Sequence, residues 1–185
     1  TLNKYDCRRP VFQALASLGK FNVAVGMLRV KSLEIQSESL EDIAKASAED
    51  AFKRCTLPII VEDAGLFIDT LDGFPGPYAA YVYKTIGNEG ILKLMRNVRN
   101  RKAHFDSSVA YLSKLERKSI CFLGRIDGEI TVEERRRNDE SGFGFDPIFK
   151  PVGSRKTFAQ MSIVEKNTFS HRARALDRFA EYYTR

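Results

Sequence analysis

The sequence predicts a single α/β domain over residues 1–185, in which helices flank a central mixed β-sheet. Three patterns predict this fold. The β-branched run Ile59 to Val61 is too short for a helix and is typical of a buried strand. An amphipathic helical pattern precedes it and follows another strand-like run, which gives a β-α-β unit. Between Ala103 and Thr131, apolar residues recur with a period of two, which indicates antiparallel strands.

The chain begins with a loop over residues 1–6, followed by a helical pattern near Pro10, a residue suited to a first helical turn. Strands are predicted at 21–25 and 30–35 because both stretches are rich in β-branched and aromatic residues.

Three polar residues predict helix starts. Ser39, with an acidic residue three positions on, resembles a capping box. Asn88 begins a second helix whose apolar residues recur at helical spacing. Ser170 has the form of an N-cap for a C-terminal helix. The free N–H groups at that last helix start would attract an anion such as a phosphate, and Lys166, His171 and Arg172 add donors around it.

Composition restricts the partners. The net charge of +6 suits an anionic ligand, but it does not choose between a nucleotide, a nucleic acid and a membrane surface. The densest basic run, at 135–137, follows two glutamates and contains no aromatic residue, which favours a solvated face over a nucleic-acid site. No apolar run approaches the ~20 residues that a membrane span needs. Three cysteines without metal-ligand spacing indicate a reducing, cytoplasmic location. We therefore expect neither a nucleic acid nor a membrane as partner.

The sequence places two acidic residues, Glu62 and Asp63, at the end of the β-branched run. Ligands of open α/β sheets bind beyond the strand ends, so carboxylates there could hold a hard cation or activate a water molecule. The alternative is a solvated acidic turn. The loop at 72–78 contains two glycines and two prolines, which favours a rigid loop beside the acids and therefore a built site.

Three segments resemble the inosine triphosphate pyrophosphatase family: Val-Glu-Asp-Ala-Gly-Leu at 61–66 with Gly-Phe-Pro-Gly-Pro-Tyr at 73–78, Gly-Phe-Gly-Phe-Asp-Pro at 142–147, and Glu-Lys-Asn with Ser-His-Arg at 165–172. They occur in the family's order and spacing over essentially the whole chain. The resemblance implies two lobes around a nucleotide cleft, with the antiparallel strands forming a lobe over the site. It also implies a homodimer that hydrolyses ITP, dITP and XTP to the monophosphate and pyrophosphate, cleansing the nucleotide pool.

The resemblance also implies the cofactor and the catalytic residues. Glu34, Glu62 and Asp63 would hold Mg²⁺, or Mn²⁺ in its place, against the phosphates. Glu62 and Asp63 would be the catalytic acids, and Asp63 is the best candidate for the general base. A purely metal-binding role for Asp63 remains open.

By the same resemblance, the nucleotide contacts come from three parts of the chain. Phe143 and Phe145 would present an aromatic face that stacks on the purine. Donors from His171 or Arg172 would suit the keto group that hypoxanthine and xanthine carry at the six position. The implied substrate-binding residues are Thr1, Asn3, Lys4, Phe143, Gly144, Phe145, Asp146, Lys166, Ser170, His171 and Arg172.

In the family a first strand comes before the segment that resembles 1–6, and the given sequence does not include it. Two positions also depart from the family's pattern. Asp6 stands where the family has a phosphate-binding lysine, for which Lys4 is our candidate substitute, and Ala64 replaces a hydroxyl residue. Two alternatives therefore stay open. One is a related pyrophosphatase that acts on modified pyrimidine nucleotides, and the other is a catalytically impaired nucleotide-binding homologue.

Overall fold

The computed structural model describes residues 18–27, 33, 35–137 and 142–185. Its strands are β1 (Ile59–Ile68), β2 (Pro75–Gly76), β3 (Lys102–Leu112), β4 (Ile120–Ile130) and β5 (Phe149–Pro151). They form one sheet in the order β2-β1-β3-β4-β5. The predicted α/β class, with a central sheet and flanking helices, is confirmed. We expected a mixed sheet, and each strand pairing within the described residues is antiparallel.

The helices are α1 (Leu40–Cys55), α2 (Ala79–Thr85), α3 (Gly87–Leu94), α4 (Ile163–Phe169) and α5 (His171–Tyr183). Short 3₁₀ turns lie at Asp69–Leu71 and Phe158–Gln160. The predicted start of α1 is confirmed, because the Ser39 hydroxyl oxygen accepts a hydrogen bond from the Asp42 amide at 3.2 Å. Ser170 does precede α5, although its side chain makes no capping bond. Helix α3 begins one residue before the predicted Asn88.

The central strand is longer than the sequence pattern predicts. β1 continues through Glu62 and Asp63 and pairs without interruption with β3, from Ile59 opposite Leu112 to Ile68 opposite Ala103. The prediction that the two acids lie at a strand end is therefore wrong. Apolar residues beyond the acids bury into the core and extend the strand, because their burial outweighs the cost of carrying two carboxylates inside it.

Helices cover both faces of the sheet, and we name each face after its helix. Ile60, Val109 and Phe122 pack with residues of α5, which defines the α5 face. Val61, Ala110 and Cys121 pack against Ala44 and Ala48 of α1, which defines the α1 face. Successive residues of a strand point to opposite faces, so each position of β1 is assigned by its parity.

The largest apolar cluster continues the α5 face toward α2 and α3. Phe105, Phe149 and Phe158 pack together in it, with ring centroids 4.7 to 6.1 Å apart. The strands β3 and β4, which we expected to form a lobe over the site, are antiparallel and continue the sheet of β1: β3 pairs with β1, and β4 pairs with β3. Among the described residues, no helix is both long and apolar enough to cross a membrane.

The predictions for the N-terminal part have mixed outcomes. The strand at 21–25 is wrong, because Phe21 and Asn22 form a turn whose amides bond back to Leu18 and Gly19, and residues 23–27 have no regular structure. The helix near Pro10 and the strand at 30–35 lie wholly or largely outside the described residues.

Candidate active site

Glu62 lies on the α5 face, where one of its oxygens accepts two hydrogen bonds. The Ser107 hydroxyl donates to Oε1 at 2.8 Å, and Arg172 Nε donates to the same oxygen at 2.9 Å. The Arg172 and Glu62 side chains are 17% and 24% exposed. Such a shielded ion pair loses little of its strength to solvent screening. Strand β1 and the first turn of α5 are therefore joined through a charge pair.

Arg172 stays protonated in this setting. Burial by itself lowers the pKa of the guanidinium, but the carboxylates of Glu62, Asp146 and Asp63 outweigh burial and leave the pKa above its ordinary value. The site thus holds a permanent cation that is balanced by nearby acids.

Asp63 follows Glu62 on the same strand and by alternation points to the α1 face. It lies opposite Ser108 in the β1–β3 register. The two acids therefore diverge, and the expectation that both reach one point is not met by the strand geometry. Glu34, the third acid predicted to bind the metal ion, lies outside the described residues.

The described residues contain no cluster of three histidine, cysteine, aspartate or glutamate side chains that could hold a metal ion. The carboxylate oxygens of Asp63 belong to the donor class that Mg²⁺ prefers, whereas Glu62 already accepts bonds from a cation and a hydroxyl. This donor set fits a magnesium ion held by one described carboxylate together with ligands from other parts of the chain or from substrate.

A second buried ion pair fixes the loop that precedes β5. Lys166 Nζ lies 2.7 Å from Asp146 Oδ2, and the Phe143 amide donates to the same oxygen at 2.8 Å. Lys166 Nζ is also 5.0 Å from the centroid of the Phe158 ring. Asp146 is buried, so both of its donors are held in a low-dielectric setting. The backbone at Phe143 is thereby anchored.

The two phenylalanines of this loop differ in environment. The Phe143 ring is half-buried and lies beneath the Arg172 guanidinium, whose Cζ is 5.8 Å from the ring centroid. Phe145 is 4% exposed and packs edge-to-face against Tyr83. A ring that is this buried has no face open to a base, so the stacking role predicted for Phe145 is wrong for this structure. Gly144, between the two rings, has a φ of +56°, a left-handed conformation that glycine adopts without strain.

His171, the first residue of α5, is buried and neutral. Its ring stacks on Phe105 with centroids 4.8 Å apart and planes 8° from parallel. Burial, reinforced by the charges of Arg172 and Lys166, lowers the pKa of His171 well below its ordinary value. Its Nδ1 atom has no hydrogen-bond partner within the part of the chain that the structure describes.

Gly124 of β4 determines how closely the first turn of α5 approaches the sheet. A Cβ atom at this position would collide with the His171 carbonyl oxygen and would lie 2.6 Å from the Ala175 amide nitrogen. Only glycine therefore permits this packing, which sets the height of His171 and Arg172 above β4.

The Gly/Pro loop packs closely on β1, as the sequence predicts for a rigid loop. Its short strand β2 pairs with β1 at Leu66 opposite Gly76. A Cβ atom at Gly65 would lie 2.5 Å from the Gly76 carbonyl oxygen, so the two backbones are in direct contact. This contact holds the loop against β1 beyond the two acids.

The structure brings together most of the residues predicted for the site. Glu62, Phe143, Asp146, Lys166, His171 and Arg172 form one connected group on the α5 face, with Ser170 and Gly144 at its turns. Thr1, Asn3 and Lys4 lie outside the described residues. Sequence reasoning missed Ser107 and Gly124. An isolated glycine inside a strand pattern is a signal of close approach, whereas Ser107 gives no local signal.

Comparison with known proteins identifies related chains. The model of the Ham1 family matches residues 10–182. A dITP/XTP pyrophosphatase of Methanopyrus kandleri is 48% identical over 171 residues, which cover 92% of this chain and 89% of that protein. One of Thermococcus kodakarensis is 49% identical, covering 86% and 84%. The structure of the Staphylococcus aureus Ham1 protein superposes with a TM-score of 0.75 at 29% identity, covering 84% of this chain and 81% of that one.

Proposed function

The chain belongs to the Ham1 family, and we propose on that basis that it hydrolyses the non-canonical purine nucleotides dITP, XTP and ITP to the monophosphate and pyrophosphate. The relatives from M. kandleri and T. kodakarensis, which this chain matches over most of their length, carry the name dITP/XTP pyrophosphatase. One observation in the structure carries the proposal: the charged residues around Phe143 form ion pairs with one another.

The α5 face suits an uncharged base better than a phosphate. Arg172 is paired with Glu62, and Lys166 is paired with Asp146, so two cations and two anions cancel. His171 adds a neutral imidazole. We had expected Lys166, His171 and Arg172 to capture phosphate as well as base, but this balance favours base recognition alone. Phosphate binding would then fall to other parts of the chain, including Thr1, Asn3 and Lys4.

Specificity for a purine with a keto group would follow from donors in a buried site. A keto oxygen at the six position accepts a hydrogen bond from a cation such as Arg172, whereas the amino group of adenine would leave that donor unpaired. The half-buried face of Phe143 offers a stacking surface worth about 1–3 kcal/mol for a base.

Asp63 is the residue proposed to act as general base. Its carboxylate would take a proton from the water whose oxygen forms a bond to the α-phosphorus, while the bond to the pyrophosphate oxygen breaks and pyrophosphate leaves. Mg²⁺, or Mn²⁺ in its place, held by Asp63 and Glu34 would neutralise charge on the phosphates when it is bound.

A substrate panel tests the proposal. Purified protein is incubated with dITP, XTP, ITP, the common nucleoside triphosphates and a modified pyrimidine nucleotide, with Mg²⁺, with Mn²⁺ or with a chelator, and products are separated by chromatography. We expect release of pyrophosphate from the deaminated purines and only in the presence of the metal ion. Preference for the pyrimidine nucleotide would favour the pyrimidine pyrophosphatase, and binding of ITP without turnover would favour the impaired homologue.

Two further properties are proposals of the same kind. A homodimer is expected from the family resemblance, and light scattering of the purified protein measures its mass. A cytoplasmic location is expected from the cysteine usage, and cell fractionation tests it.

The same substrate panel, run on the Asp6→Lys variant, tests whether the aspartate at this position weakens phosphate binding.

A further inference from the structure

Glu62 and Asp63, the proposed general base, lie on opposite faces of strand β1. Glu62 contacts α5 through Arg172, whereas Asp63 points to the other face of the sheet. An ion coordinated by Asp63 on one face of the strand could not also be coordinated by Glu62, which lies on the other face. The pairing of β1 with β3 runs without a bulge from Ile59 to Ile68, so no local twist brings the two carboxylates to one side.

Glu62 Oε1 already accepts two hydrogen bonds. Ser107 and Arg172 both donate to Oε1, from β3 and from α5, and Ser107 itself is buried. A divalent cation at this carboxylate would sit beside a permanent guanidinium cation, and the repulsion is large where solvent is excluded. The carboxylate is therefore suited to holding a side chain in place.

Arg172, the side chain that Glu62 holds, lies at the proposed base site. The Arg172 guanidinium lies over the Phe143 ring, and the Phe143 amide is bonded to Asp146, which is paired with Lys166. The ring is thus fixed from two sides, by a cation above it and by its own backbone. Removing the Glu62 charge would release the cation above the ring.

We propose that Glu62 is a positioning residue for base recognition, which together with Ser107 holds Arg172 over Phe143, and that it does not ligate the metal ion. This inference rests on the proposed function, because it assigns the α5 face to the base. It also separates two adjacent acids by role: Glu62 orients the base site, and Asp63 serves the reaction.

A double-mutant cycle on metal-free binding tests the inference. The probe is dIMP, the proposed product of dITP, titrated calorimetrically in the presence of a chelator into wild type, Glu62→Gln, Arg172→Ala and the double variant. We expect Glu62→Gln to weaken dIMP binding about tenfold, and to weaken it by less than about twofold when Arg172 is already alanine. Equal losses in both backgrounds would overturn the inference, since Glu62 would then act independently of Arg172.

A second measurement separates positioning from metal binding. The Mg²⁺ concentration for half-maximal hydrolysis of dITP should change by less than about twofold in Glu62→Gln, while the KM for dITP rises. A large increase in the Mg²⁺ requirement with unchanged dIMP affinity would assign Glu62 to the metal ion and sink the proposal.

Ser107→Ala carries the same test if Glu62→Gln does not fold. It removes one donor to Glu62 and should weaken dIMP binding in the same direction by a smaller factor. Ser119→Ala is the matched control, because the Ser119 hydroxyl also donates to a glutamate, Glu49, at 3.0 Å but on α1. Equal dIMP affinities for the two serine variants would contradict the proposal. Absence of dITP hydrolysis in wild type would instead remove the proposed function.

Discussion

Glu62 and Asp63 are neighbours in sequence, but they lie on opposite faces of the central sheet in different surroundings. On the α5 face, Glu62 is tied to Arg172 and Ser107, and a second buried pair, Asp146 with Lys166, lies close by. On the α1 face, the cluster beside Asp63 consists of small residues: Ala44 and Ala48 of α1 pack on Ala110. The ion pairs on the α5 face are largely buried and lie among aromatic rings, whereas the apolar cluster nearest Asp63 on the α1 face is made of small residues.

This difference teaches that adjacency in sequence does not imply a shared task. A buried ion pair costs desolvation energy and contributes little net stability, but it holds its two side chains in one geometry. The α5 face therefore has the properties of a preformed binding surface, and substitutions there should change stability and affinity. Substitution of Asp63 should change turnover alone, and the predictions below test this contrast.

The largest effect is expected for Asp63→Asn, which keeps the volume of the side chain and removes its charge and basicity. We predict that kcat for dITP falls by about 10²–10⁴-fold, because a general base contributes that much. The cooperative unfolding transition should be retained in urea titration, because the amide has nearly the same volume as the carboxylate. Retention of more than about a tenth of wild-type kcat would remove Asp63 from the mechanism.

Phe145→Ala is expected to act on stability. The ring fills the core on the α5 face, so its removal should lower the unfolding free energy by about 3–5 kcal/mol. Phe143→Ala is the matched variant: it should lose less stability and raise the KM for dITP by about 5- to 150-fold, the equivalent of one lost stacking contact. If Phe145→Ala instead folds normally and binds dITP weakly, the assignment of the two rings is reversed.

Gly124→Ala tests how α5 is seated. The added methyl group would collide with the helix backbone, and we expect a loss of about 1–3 kcal/mol in unfolding free energy together with a higher KM for dITP. Gly26→Ala is the control, since no atom of the described part of the chain lies within 4 Å of a Cβ at that position. An unchanged KM in a destabilised Gly124→Ala would show that the height of α5 does not matter to the base.

A pH dependence follows from His171. Its pKa in the folded protein is depressed below the ordinary value of about 6.5, so the unfolded chain binds the extra proton more readily. The stability contributed by neutral His171 is full above about pH 6.5, and it is lost as the pH falls from there toward the folded pKa. Urea titrations at pH 7.5 and 5.5 should show a smaller decrease for His171→Asn than for wild type.

The smallest effect is expected for Asp106→Asn, which breaks an ion pair on the α1 face. Arg125 donates to both carboxylate oxygens, Nε to Asp106 Oδ1 at 2.7 Å and Nη2 to Oδ2 at 2.6 Å, but the arginine is 58% exposed. Such a pair contributes about 0–1 kcal/mol because solvent and salt screen it. A loss well above 1 kcal/mol by urea titration would mean that charges on this face also carry stability, and the contrast between the faces would fail.

Much of the fold could be predicted from local patterns. Ser39 and Ser170 identified two helix starts, and the period-two run identified β3 and β4, because capping and strand alternation are properties of a few consecutive residues. The turn at Phe21 and Asn22 was mistaken for a strand, since its composition alone favours extended structure.

The sequence by itself determined the family, the α/β class and most residues of the candidate site, because motifs and their order are linear properties of the chain. Only the tertiary structure decided how those residues divide. In the structure, β1 continues through Glu62 and Asp63, so the two acids point to opposite faces of the sheet. The tertiary structure also buried Phe145 and left Phe143 beneath Arg172. Burial and partners depend on contacts between elements that are distant in sequence, and no local pattern contains them.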